Sequence, residues 1–447
     1  MGNTRTVALL LAAVAGCADG ASTTTGANQQ AVTGPTVDGA QVPASYLRGM
    51  RRIESRHAPH TAALAGAAKT MAPAGIDSLT SFTSQFTAAG FDDNGNPQSV
   101  WPYTMVGRAP QANRTTTFRA PIIPVTVELL DASGKVGKTA TGAPLRMVSG
   151  NDTVSLTLNS PVFQSFPYTS GTTQFTDGMM RAMFFNQVGD KNGDGDDQNY
   201  HTLLQPSVKT ARTIQVPFGM YRFAPKADGT CCLFVLVDAD TFTNAIFPPT
   251  ATDTTTVIGA AEHAGEMTTR DITTLLFRDI YLYVGNPNNC CILGFHSIDV
   301  EPGDASNGNR ERDFVMNYAS YITDGIFSSG IEDVTAFSHE MAELFADPFV
   351  NNATPWWLST DPFNPNAQLC QNNLETGDVI EIMSANNVHA VPLHGRTYHP
   401  QNEALLQWFE FESPSSAHLG AYSFPDETTL TTLSPTPLLP GCVPAGS

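Results

Sequence analysis

A chain of 447 residues, 41% of them hydrophobic, can bury one large core or two, which excludes a disordered or fibrous protein. Its 42 acidic residues against 23 basic ones leave a formal charge of -19, which argues against binding nucleic acid or anionic lipid through a charged face.

At the N-terminus, Arg5 precedes an apolar run, Val7 to Ala15, that is too short to span a bilayer. Residues 1–16 therefore read as a signal peptide. Val14-Ala15-Gly16-Cys17 resembles a bacterial lipobox, in which Cys17 becomes the lipidated first residue and anchors the chain to a membrane on its extracytoplasmic side. Residues 17–45 are rich in Ala, Thr, Gly, Gln and Ser without apolar periodicity, the composition of a flexible tether. The next stretch, 46–80, has helix-forming content and an unusual concentration of Arg48, Arg51, Arg52, Arg56 and Lys69, and is expected to be a helical stalk or pro-segment. Residues 81–447 are expected to form a single large domain.

Within that domain, strand-like runs rich in Ile, Val, Leu and Tyr occur at Pro121 to Leu130, Cys232 to Val237, Leu275 to Val284 and Ile292 to Ile298. Helical patterns alternate with them, most clearly at Thr173 to Gln187 and Ile331 to Ala346. The expected class is α/β or α+β, a mixed sheet flanked by helices. Asp190, Asn192, Asp194 and Asp196 alternate around Gly193 as a calcium loop begins, but position twelve is His201, where a helix–loop–helix site needs a bidentate Glu. The alternative there is an acidic surface turn. After Cys17, six cysteines remain: Cys231, Cys232, Cys290, Cys291, Cys370 and Cys442. They fit three disulfides in an oxidising compartment. Because disulfides between neighbours are strained, each Cys is expected to reach a distant segment.

The chemistry is concentrated in Ser338-His339-Glu340-Met341-Ala342-Glu343, an H-E-x-x-E inside a helical run. In the commoner H-E-x-x-H, two residues four apart on a helix hold zinc while the intervening Glu acts on a metal-bound water. On a wheel of about 100° per residue, Val334, Phe337, Met341, Leu344 and Phe345 form an apolar stripe. His339, Glu340, Glu343 and Asp347 gather on the other side, expected to be open, and no Lys or Arg occurs from Ile331 to Val350. Glu343 and Asp347 crowd the negative end of the helix dipole, a conflict that a bound cation would relieve. An ordinary amphipathic helix with an acidic solvent face is the alternative. Zinc is the favoured ion, although a carboxylate ligand also admits Mn, Mg or Ca.

A metal held by His339 and Glu343 needs a third protein ligand. Glu375 and Asp378 are candidates because zincin helices draw theirs from a downstream segment, and His296 is the other. With a metal present, Glu340 would serve as the base in peptide or amide hydrolysis, and His201, His296 and Tyr398 are candidates to steady the oxyanion, at distances from the helix that the sequence does not fix. No G-x-S-x-G elbow supports a serine mechanism.

Several segments follow in an order that resembles the Exordium or phosphate-induced protein family. They are Gln174-Phe175-Thr176-Asp177 through Arg181-Ala182, Tyr200-His201-Thr202-Leu203-Leu204, Val284-Gly285-Asn286-Pro287 before Cys290, and Gly294-Phe295-His296-Ser297. The helix motif follows, with Asp347-Pro348, Trp356 or Trp357, Glu375-Thr376-Gly377-Asp378 and Leu406-Gln407-Trp408 behind it. The resemblance spans Thr115 to Pro425, though Val379 stands where plant members carry a Cys. It implies an extracytoplasmic protein linked to cell-wall biology and carries no established reaction. A non-catalytic envelope protein that binds a carbohydrate or protein partner is therefore the competing expectation.

Overall fold

Strict alternation along the strand Thr115–Leu129 sets the architecture. Phe118, Ala120 and Ile122 face one apolar cluster, while Ile123, Val125, Val127 and Leu129 face another. A strand buried on both sides belongs at the centre of a covered sheet. The computed structural model describes residues 76–434 except 93–94, 189–198, 284, 286, 288–289, 328–329, 362–363 and 385, and it leaves the side chains of 358–370 and 382–383 undescribed. The signal peptide, the tether, Cys17, the stalk up to 75, the loop of Asp190, Asn192, Asp194 and Asp196, and Cys442 thus lie outside the described residues, as does the Cys370 side chain.

The central sheet is mostly parallel. Thr115–Leu129 pairs in parallel with His201–Val208, Arg212–Val216 and Ile272–Arg278, and the last of these pairs in parallel with Glu311–Tyr321. Gly294–Glu301 joins Glu311–Tyr321 as an antiparallel neighbour. Ile76–Asp77, which the sequence boundary assigns to the stalk, already pairs with Glu311–Arg312. Helices and several small sheets flank this core, which gives the mixed α+β class.

Two apolar runs that read as single strands are each divided between sheets. Leu275 to Val284 breaks at Asp279, a non-glycine residue at φ 51, whose carboxylate accepts the Thr323 backbone N–H at 2.7 Å and hydroxyl at 2.6 Å. Ile272–Arg278 stays in the central sheet, while Ile280–Tyr283 enters a four-stranded sheet with Tyr221–Ala224, Phe234–Asp238 and Cys290–Ile292. The run Ile292 to Ile298 divides likewise at Leu293. At Leu293 hydrophobicity is continuous through the break because both sheets are buried, whereas Arg278 and Asp279 mark the first break with charge.

The expected long-range disulfides are replaced at two places by bonds between neighbours, Cys231–Cys232 and Cys290–Cys291. Each joining peptide is cis, with Cα atoms 3.1 and 3.0 Å apart.

Segments quoted for the family resemblance clamp one another. Gln174 exchanges two hydrogen bonds with the Leu204 backbone, Arg181 donates to the Tyr200 carbonyl at 2.7 Å, and Asp177 accepts the Thr202 N–H at 2.6 Å. Trp357 meets Trp408 edge-on at 5.7 Å, and Gln407 donates to the Met183 carbonyl. Their work is architectural.

Phe242, fully buried on the helix Ala239–Ile246, sits 5.0 Å from the Phe277 ring, 4.7 Å from Tyr318 and 6.4 Å from Phe295. Removing it opens a cavity beside the strand that carries His296. Phe242→Ala is expected to cost about 3–5 kcal/mol of unfolding free energy, measured by urea denaturation.

Candidate metal centre

The parity of one strand delivers the first ligand. In Gly294–Glu301, Ile298 and Val300 face the apolar cluster that also contains Phe337 and Met341, so His296, two residues before Ile298, points to the same side. Phe295 faces the other cluster. The motif helix, Thr335–Ala346, lies against that side of the sheet.

The polar side of this helix is not open: every residue from Thr335 to Ala346 is buried. A second helix, Thr376–Met383, roofs it, and the short strand Glu403–Ala404 closes behind that roof. Two glycines permit the close approach. A Cβ at Gly377 would stand 2.2 Å from His339 Nδ1, and one at Gly294 would stand 2.5 Å from Glu340 Cγ.

All six residues singled out for metal chemistry converge here. His339, Glu340, Glu343, Glu375 and Asp378 are 0% exposed and His296 is 4% exposed. Glu343 organises them. Its Oε1 accepts the backbone N–H groups of Gly377 at 3.1 Å and Asp378 at 3.3 Å, at the positive end of the roof helix. Its Oε2 lies 3.1 Å from His339 Nε2 and 3.6 Å from His296 Nδ1. Glu340 stands between the rings, with Oε1 3.9 Å from His339 Nε2 and Oε2 3.7 Å from His296 Nδ1. Asp378 Oδ1 is 3.9 Å from His339 Nε2.

The three candidates for a third ligand take different positions. Asp378 groups with His339 and Glu343, and His296 groups with Glu340 and Glu343; in each trio the ligand atoms lie within 4.8 Å of one another. Glu375 instead reaches the far nitrogen of His296, with Oε2 3.8 Å from Nε2. Glu381, which sequence reasoning missed, reaches the far nitrogen of His339 at 3.7 Å. Its signal was present, because Glu381 follows Asp378 by one helical turn in an apolar helix. Glu403, fully buried and bonded to the Thr376 hydroxyl at 3.0 Å, had no such signal.

Asp347 does not belong to the cluster. Its carboxylate accepts the N–H groups of Asn351 at 2.9 Å and Asn352 at 3.1 Å, so these amides, rather than a cation, settle its position at the helix end. His201 pairs with Asp177 at 2.7 Å, and the Tyr398 hydroxyl donates to the Leu156 carbonyl at 3.0 Å, so both are engaged elsewhere.

Among the described residues, no ring nitrogen of His296 or His339 and no carboxylate oxygen of Glu340 or Asp378 makes a well-directed hydrogen bond. Buried polar atoms in this condition call for a ligand. The electrostatics agree. Burial pushes the Glu340 carboxyl up to about 7, with His339 opposing, and raises Asp378 with added repulsion from Glu343. For Glu343 burial is overruled by His339 and His296, and its pKa falls. Both histidines rise despite burial, His339 through Glu343 and Glu340, and His296 through Glu375 and its contacts with Glu340 and Glu343. A field that favours imidazolium is one that a divalent cation would also meet. The donor set, imidazole plus carboxylate, fits zinc and harder ions such as Mn.

Next to the motif helix, Asp333 accepts the His399 backbone N–H at 3.0 Å and pairs with its Nδ1 at 2.9 Å. The hydrogen bond to Asp333 raises the His399 pKa above 6.5. This stabilisation is complete below pH 6.5 and disappears as pH climbs through the raised value. His399→Gln is expected to flatten that part of a pH series of thermal melts.

At the roof, Gly377→Ala or Gly294→Ala overpacks the centre. Each is expected to cost about 1–3 kcal/mol or more in chemical denaturation. No family model matches the chain, and neither the curated proteins nor the solved structures contain a match.

Proposed function

We propose that this chain is an extracytoplasmic, lipid-anchored protein of Exordium-like character built around a closed divalent-metal centre, which retains its ion rather than turning over a substrate. Its partner-binding surface would meet a carbohydrate or protein of the cell envelope. The observation that carries the reading is the complete burial of His339, Glu340, Glu343 and Asp378 together with their unmet hydrogen-bonding capacity. Structural metal sites are closed, whereas catalytic ones keep a position for water or substrate. Gly294 and Gly377, packed against Glu340 and His339, leave no such position on their sides.

A second reading has one specific observation in its favour. Glu340 lies between the two imidazoles with its carboxyl pushed up to about 7, the range of a general base working near neutrality. On that reading the motif would be zincin-like: His339, Glu343 and Asp378 would hold the ion, which would supply Lewis acidity, and Glu340 would serve as the base in peptide or amide hydrolysis.

Metal analysis of protein purified without chelator, paired with a peptide and amide hydrolysis screen, separates the two. The closed reading expects retained metal, no turnover, and a stability loss on stripping of about 4 kcal/mol where the ion stood a thousandfold above its Kd. Metal-dependent hydrolysis abolished by Glu340→Gln would establish the enzyme instead. Protein that holds no metal, and whose melting is unchanged in His339→Ala, would remove both.

A further inference from the structure

The two trios share Glu343. We infer that the centre binds two divalent ions bridged by Glu343 Oε2, one held with His339 and Asp378 and the other with His296 and Glu340. This rests on the closed metal reading and goes beyond it in stoichiometry.

Glu343 Oε1 is committed to the Gly377 and Asp378 amides, so Oε2 alone faces the interior. Both imidazoles approach that oxygen, His339 at 3.1 Å and His296 at 3.6 Å. A single ion seated with His339, Glu343 and Asp378 would leave His296 and Glu340 buried, with both ring nitrogens and both carboxylate oxygens unsatisfied. The second trio supplies the remaining ligands without moving any element.

The surroundings repeat on both sides. Each ring faces the shared carboxylate through one nitrogen and an outer carboxylate through the other, Glu375 at 3.8 Å behind His296 and Glu381 at 3.7 Å behind His339. An outer carboxylate fixes the tautomer and orientation of a metal-binding histidine. Two such arrangements facing one oxygen are two half-sites. Charge points the same way: residues 279–309, 313–395 and 397–447, which include every element of the cluster, contain no Lys or Arg. Two divalent cations would bring four positive charges against the carboxylates of Glu340, Glu343, Glu375, Asp378 and Glu381.

The full chain in detergent, stripped with chelator and reloaded with Mn2+ or with Zn2+, tests this by metal content per folded chain and, for Mn2+, by electron paramagnetic resonance. Two ions per chain and an exchange-coupled manganese signal are expected. His296→Ala and His339→Ala should each drop the content to one and abolish the coupling. Saturation at one ion, unaffected by His296→Ala, would overturn the bridged pair while leaving the closed metal reading intact, as would two ions with uncoupled spectra. Wild-type protein that takes up neither metal would overturn both. The wild-type stoichiometry and spectrum decide the matter even if a variant fails to fold.

Discussion

The Glu343 carboxylate is the contact on which this part of the molecule depends, because its two oxygens perform separate tasks. Oε1 is held by the first amides of the roof helix, and Oε2 faces two imidazoles from different elements. One side chain thereby joins the motif helix, the roof helix and the edge strand of the central sheet. The amides favour its ionised form, as helix N-termini do for anions generally. That negative charge is buried among other carboxyls on segments free of Lys and Arg, so it is met by protons, on the histidines and on the neighbouring carboxyls that burial favours in the neutral form, or by a metal.

Much of this was legible beforehand, and the reasons are local. The stripe of Val334, Phe337, Met341, Leu344 and Phe345 records which side of the motif helix meets the sheet, and the opposite grouping of His339, Glu340 and Glu343 records where the site lies. The strand-like runs mark real strands because β-branched and aromatic residues fill buried pleats. What lay beyond reach was tertiary. An acidic helix side reads as solvent-facing until another helix covers it, and the glycines that permit the covering, Gly294 and Gly377, are ordinary residues in one dimension. The break at Leu293 was hidden because the chain stays apolar as it passes between two buried sheets, whereas the one at Asp279 was marked by Arg278-Asp279 inside an otherwise apolar run. Neighbouring cysteines looked unsuited to pairing because a disulfide between adjacent residues is strained, yet Cys231–Cys232 and Cys290–Cys291 pair in this way.

The closeness of the packing bears on what the centre can do. Hydrolysis needs a site that admits a carbonyl and a water, and oriented donors acquire catalytic value only if substrate can reach them. Here the backbone of Gly294 and Gly377 packs so closely on Glu340 and on the outer side of His339 that a Cβ at either position would collide with them. The same packing suits permanent coordination, in which excluding water strengthens each ion–carboxylate contact and the outer carboxylates Glu375 and Glu381 hold both rings in place.

A centre of this kind would link folding to metal supply. The motif helix contacts two strands of the central sheet as well as the roof helix, so disorder among the unneutralised acids would spread into the core rather than remain local. Burying carboxylates without counter-charges opposes folding, and burying them around a cation favours it. The final closure of the roof over His339 would then wait on the ion, and the fold would be complete only where that ion is supplied.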